Sequence, residues 1–131
     1  MQSCSRTSGK RTLFFKKITK VVRPGGIVCV TVPPLKHNVV GGHLTLWNAG
    51  LLIYNLVVAG IDCSSCKAKR YGYNISVIFY NNAREEIELS LGGPDLAKLK
   101  RFFPIEIQWQ ENTRGNLFFD DDISELNWDE R

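Results

Sequence analysis

Two cysteines and two histidines carry the most chemical reach in this sequence. Cys63 and Cys66 form a C-x-x-C pair, a spacing used by zinc sites and by dithiol redox centres. Zinc needs two further ligands, and neither His37 nor His43 stands at a ligand spacing from another such residue. A thioredoxin-type dithiol needs its first cysteine at a helix N-terminus, where the dipole lowers the thiol pKa. Here the pair follows a helical stretch that ends at Gly60. Neither metal nor redox chemistry is expected from it. With no G-x-S-x-G and no nucleophile paired to a histidine, hydrolase chemistry is not expected either.

The elements that must position these residues follow from apolar spacing. Phe14, Ile18 and Val22, flanked by Leu13, Phe15 and Val21 and separated by Lys16, Lys17 and Lys20, predict an amphipathic helix over residues 12 to 22. Pro24-Gly25-Gly26 ends it in a turn. The run Ile27 to Val32 predicts a strand covered on both faces, as in a parallel sheet. Pro33-Pro34 closes that strand, and a polar loop carries Lys36, His37 and His43. A helix apolar nearly all round follows over residues 46 to 59, with Gly60 at its C-terminus. Residues 62 to 71 and 74 to 81 read as paired strands joined near Gly72. Beyond the ambiguous residues 83 to 91, Asp95 caps a short helix closed by Pro104, and Ile105 to Gln110 alternates as a half-buried strand.

Composition bounds the function classes. The chain has 131 residues, 44% hydrophobic and 23% charged, enough to fold as one domain without disulfides or metal. Eight basic and no acidic residues precede Asp62, while all thirteen acids lie from Asp62 onward. Such asymmetry suits nucleic acid or an anionic surface, but the aromatics among the early basic residues lie on a helical apolar stripe, not on a sheet platform. Nucleic acid is not the expected partner. The 25 uncharged residues between Lys36 and Asp62 are interrupted by histidines, asparagines and glycines, so no membrane span is expected. The basic, polar N-terminus lacks a signal-peptide pattern, which makes a cytoplasmic protein with reduced thiols the expectation.

The order of elements then carries a resemblance. Val22-Arg23-Pro24-Gly25-Gly26 followed by Ile27 to Pro33 resembles the L-K-P-G-G turn and fifth strand of class I S-adenosylmethionine-dependent methyltransferases. Gly42-His43-Leu44-Thr45-Leu46-Trp47, Leu51-Leu52 and Ala59-Gly60-Ile61-Asp62 are similar to the helix that follows in that family, and Tyr71 to Phe79 to its terminal hairpin. The resemblance implies an α/β fold, a partial Rossmann-like half-sheet within a mixed sheet, extended by a C-terminal α–β segment. It also implies that the loop after the strand faces the methyl acceptor. Lys36, His37, His43 and Trp47 are then the acceptor-side candidates, Trp47 reading first as a core residue, and Pro24, Gly25 and Gly26 form the structural turn.

No residue is expected to hold the cofactor. The sequence has no G-x-G and no acid ahead of Asp62 to take the ribose hydroxyls. S-adenosylmethionine is expected only where a partner supplies the missing half. The domain is expected over residues 12 to 119, between a flexible lead at 1 to 11 and an acidic, loose tail at 120 to 131. With no fourth strand beside Ile27 to Val32, a homo-oligomer, and most simply a dimer, is expected to cover the bare edge. The expected function is a truncated methyltransferase-like domain, inactive as an isolated chain. The alternatives are a non-catalytic assembly module and, more remotely, a basic-arm binder of nucleic acid or membrane surface.

Overall fold

Five β-branched residues and one cysteine make strand β1, Ile27–Val32, entered from helix α1 at residues 14–21. The structure, a computed structural model, describes residues 14–33, 47–71, 74–90, 92–120 and 123–128. The lead at 1 to 11 and the Gly72 connection lie outside them. The chain continues through α2 (Ala49–Val58), β2 (Lys67–Tyr71), β3 (Asn74–Tyr80) and α3 (Asp95–Leu99), which runs into a 3-10 turn at Lys100–Phe102. Three two-residue strands end it: β4 (Gln110–Glu111), β5 (Leu117–Phe118) and β6 (Glu125–Leu126).

The main sheet has the order β1-β3-β2-β6, and β4 pairs with β5 in a separate ribbon. Every one of these pairings is antiparallel, which corrects the expected mixed sheet. The cause is the place of β3. Both β1 and β2 are antiparallel to β3, so they run parallel to each other, connected through α2, without touching. This is a split β-α-β unit with the later strand inserted.

Strand β1 is also not covered on both faces. Val28, Val30 and Val32 are half-buried, while Ile27, Cys29 and Thr31 are exposed. Helix α2 packs over β3 and β2, which leaves β1 at the margin of the core. In α1 the buried stripe is displaced from the expected one. Phe15 is buried and Ile18 and Val22 are half-buried, but Phe14 and Val21 are 59% and 82% exposed.

Helix α2 starts at Ala49 because Asn48 caps it, its Oδ1 accepting from Leu51 N at 2.6 Å. Leu52, Ile53, Leu56 and Val57 are fully buried, as an all-round apolar helix requires. The C-terminal segment supplies the cover on the side away from the sheet. A Cβ at Gly50 would stand 2.5 Å from Phe119 Cε2, and Phe119 joins Phe103 and Trp109 in an edge-to-face cluster. At the helix end, Arg84 Nε donates to Val57 O at 2.5 Å and Nη2 to Val58 O at 3.2 Å. Val57 O also accepts from Gly60 N at 3.0 Å, so the cation adds a second donor there, supplies one to Val58 O and complements the negative dipole end.

Three features of the C-terminal segment differ from expectation. Asp95 is the first residue of α3, with Pro94 in the cap position, and its Oδ1 accepts from Ser90 N and Ser90 Oγ, both at 3.0 Å. The alternating run from Ile105 is broken by a turn closed by Ile107 N donating to Pro104 O at 3.2 Å, so pairing starts only at Gln110. Within the acidic end, Glu125–Leu126 pairs with Ala68 and Lys69 as the fourth strand of the sheet. Leu126 is buried there, and one leucine in the core anchors a segment otherwise rich in acids.

Asn81, just past β3, ties α1 to the sheet. Its Nδ2 donates to Val22 O at 2.7 Å and Thr19 O at 3.0 Å, with a longer contact to Arg23 O at 3.3 Å. Its backbone bonds the turn on both sides, Gly25 N to Asn81 O at 3.0 Å and Asn81 N to Gly26 O at 2.7 Å. Asn81→Ala should lower stability by about 1–3 kcal/mol, the penalty for stranding buried carbonyls, read as a lower urea midpoint. Asn81→Asp should be worse, because a carboxylate would face the same three acceptors.

Candidate functional site

The turn after α1 sets the geometry of an apolar concavity. Gly26 N donates to Arg23 O at 2.9 Å, and Gly25 takes φ +80°, a conformation open to glycine at no steric penalty. The chain thereby reverses so that α1 lies beside β1. Phe15 packs edge-to-face on Trp47, ring centres 6.4 Å apart, and Phe14 stands 5.5 Å from Phe15. Between them and β1 runs a groove of about 660 Å³. Its walls are Phe14, Phe15, Ile18 and Trp47 on one side and the consecutive residues 28 to 32 on the other. Because lining residues come from both faces of β1, the groove follows the strand's edge. Among the described residues no strand pairs with that edge.

The groove's polar content is small. Thr31 Oγ1 lies 2.8 Å from Ser76 Oγ, which lies 2.7 Å from Tyr71 OH, a hydroxyl chain across three strands. Among the described residues, no carboxylate, histidine, lysine or arginine lines the groove. Its described lining suits apolar matter or an incoming backbone, and the exposed Cys29 thiol is the one nucleophile among those residues apart from the Thr31 hydroxyl.

Of the residues singled out from sequence, Pro24, Gly25 and Gly26 form the turn just described. Trp47 is 7% exposed and belongs to the core cluster, where it floors the groove. Lys36, His37 and His43 lie outside the described residues. Asn81 and Arg84 were not anticipated. A polar residue directly after an apolar strand was the available signal for Asn81, and nothing in the local pattern marks Arg84.

The described residues do not fit S-adenosylmethionine. That cofactor wants backbone approaching it at a glycine turn and a carboxylate on its ribose. The Gly25-Gly26 turn is already bonded to Asn81 on both sides. Asp62, the first acid of the chain, accepts from Ser64 N at 2.9 Å and holds a turn of its own. Among the described residues no group of three or more His, Cys, Asp or Glu is placed to hold a metal ion, and no helix is long and apolar enough to cross a membrane. The chain matches no protein-family model, no curated protein and no solved structure.

Two titrating groups are perturbed by the core. The Cys63 thiol is pushed well above its ordinary range, first by its hydrogen bond to Cys66, then by burial and by the neighbouring Cys66 and Asp62 charges. Burial, and secondarily Asp95, raises Tyr54. A raised folded-state pKa means the unfolded chain loses its proton first, so stability is complete below the unfolded value and declines above it. The urea midpoint should therefore hold steady from neutral pH to about 8.5, the unfolded thiol value, and fall at higher pH. Cys63→Ala should lower the midpoint overall but flatten the first part of that fall. Tyr54 should sustain the decline above about pH 10.

Proposed function

We propose that this chain is a methyltransferase-like segment that joins a partner along the edge of β1 with which no strand among the described residues pairs, the partner supplying the S-adenosylmethionine site. The observation that carries this reading is the contrast between the two edges of one sheet. At one edge β6 is two residues long and includes Glu125, the short, charged kind of edge that discourages pairing. At the other, β1 offers six residues with no charge and no proline, beside an apolar groove. An edge left in this state is built to be paired.

The Arg23-Pro24-Gly25-Gly26 turn, the α2 connection and the β2–β3 hairpin, in that order, support the methyltransferase likeness. In this reading the loop with Lys36, His37 and His43 faces the acceptor, and the half-sheet is Rossmann-like once its neighbour is in place. The chain alone performs no methyl transfer, since its own residues cannot position the sulfonium against an acceptor.

A second reading rests on the same edge. Ile27–Val32 is uncharged along its whole length, so two copies can pair antiparallel about a two-fold axis without like-charge opposition. The protein is then a dimeric, non-catalytic assembly module.

Calorimetric titration of the isolated chain with S-adenosylmethionine should show no binding at micromolar concentration, and binding there would overturn the composite-site reading. Light scattering separates the two occupants of the edge. The second reading expects a dimer that Ile27→Lys with Cys29→Lys converts to monomer, both positions being exposed. A monodisperse monomer at micromolar concentration in the unsubstituted chain would leave the edge to a different partner.

A further inference from the structure

The Cys63–Cys66 pair has a geometry that its sequence position did not suggest. Cys66 N donates to Cys63 O at 3.0 Å, closing a four-residue turn whose ends lie within about 7 Å of each other. That span includes the Cα separations a disulfide accepts. Both side chains are buried, at 0% and 1% exposure, and both are free thiols. The turn and the burial of both side chains place the two thiols in one part of the core, and the rise in the Cys63 pKa caused by Cys66 agrees with that proximity. Residues three apart in a strand would face opposite ways; the turn is what brings them together.

The frame around the turn is rigid at its base and open at its tip. Cys63 N donates to Phe102 O at 2.9 Å, and Asp62 Oδ1 accepts from Ser64 N. Ser64 and Ser65 are exposed. Access to the sulfurs requires only that this exposed tip open locally, the kind of fluctuation that proteins undergo below the global unfolding energy. Two isolated core cysteines would act as small apolar side chains. Two in mutual contact within one turn can do more.

We propose that Cys63 and Cys66 are a dithiol–disulfide couple, oxidised within the folded chain by a low-molecular-weight disulfide. One cysteine thiolate, its proton lost to solvent, attacks a sulfur of the oxidant. The oxidant's S–S bond breaks, a mixed disulfide forms and one thiolate leaves. The second cysteine gives up its proton and displaces the remaining oxidant thiolate, forming the Cys63–Cys66 bond. The pair loses two electrons and two protons, and the oxidant is reduced to two thiols. The second step is intramolecular, with the attacking sulfur already at hand, so the mixed disulfide does not accumulate. This couple is independent of the proposed partner at β1, since β2, which the turn leads into, is separated from β1 by β3.

The whole chain contains its own control. Trypsin releases Cys63 and Cys66 in the peptide from His37 to Lys67, and Cys29 in a separate peptide ending at Lys36. The folded protein is incubated with oxidised glutathione in native buffer, alkylated and digested. The His37–Lys67 peptide should lose the mass of two hydrogens and both alkylation sites. Exposed Cys29 should instead carry a stable glutathione adduct. In Cys66→Ser, glutathione should remain on Cys63 for want of a resolving thiol. Two alkylatable thiols in the native His37–Lys67 peptide, a stable glutathione adduct on it, or a disulfide that forms only in urea would each overturn the proposal.

Discussion

The position of α1 depends on one side-chain amide. At the end of β3, Asn81 Nδ2 reaches three carbonyls at the end of α1 while the Asn81 backbone bonds Gly25 and Gly26. An amide with two hydrogens placed among acceptors alone satisfies groups that a helix end otherwise leaves to water. The clamp fixes the helix against the strand that follows it, although 58 to 62 residues separate the partners in sequence. It places Phe15 on Trp47 and opens the groove along β1. Without the clamp, α1 would be held mainly by a stripe of which only Phe15 is fully buried.

The rest of the core is organised around α2, and that makes the condition of β1 intelligible. A helix apolar on every side must be covered on every side. The sheet covers one side through β3 and β2, and the Phe103, Trp109 and Phe119 cluster another. Strand β1 adds to this core from one side only, through Val28, Val30 and Val32. The strand is therefore stitched to β3 through six residue pairs, yet half of its side chains are left exposed. Among the described residues the strand is held by one edge and pairs with nothing on the other, which is what the proposed partner would use. The groove beside it extends the same invitation to side chains.

Much of this was readable in the sequence, and the errors have physical causes. Apolar spacing located α1, β1, α2 and the β2–β3 pair because each has a period that only one element satisfies. Gly60 was recognisable as a helix end and takes φ +108°. The face of α1 was misread because a stripe of six apolar residues leaves its centre undetermined within about one residue's rotation. The run Ile27 to Val32 was misread as two-sided burial because an edge strand awaiting cover has the same composition as a covered one. The strand expected from Ile105 failed because Pro104 supplies the carbonyl that turns the chain at Ile107, a local bond that overrides the alternation. Long-range polar contacts such as those of Asn81 and Arg84 have no periodic signature at all. The acceptor-side candidates Lys36, His37 and His43 remain defined by the sequence resemblance alone.

The distribution of charge ties these points to chemistry. Methyl transfer from a sulfonium needs a carboxylate to seat the cofactor's ribose, and the chain's first acid is already engaged in the turn at Asp62. That engagement is structural in a specific way, since the same turn packs Cys63 and Cys66 together under it. Freeing Asp62 for a ligand would remove one of the bonds that brace this turn, the bond from Ser64 N. The acid therefore cannot serve both ends, and the geometry assigns it to the turn. In the proposed composite site the cofactor half comes across the edge of β1, and the sulfur pair is a separate centre on the far side of β3.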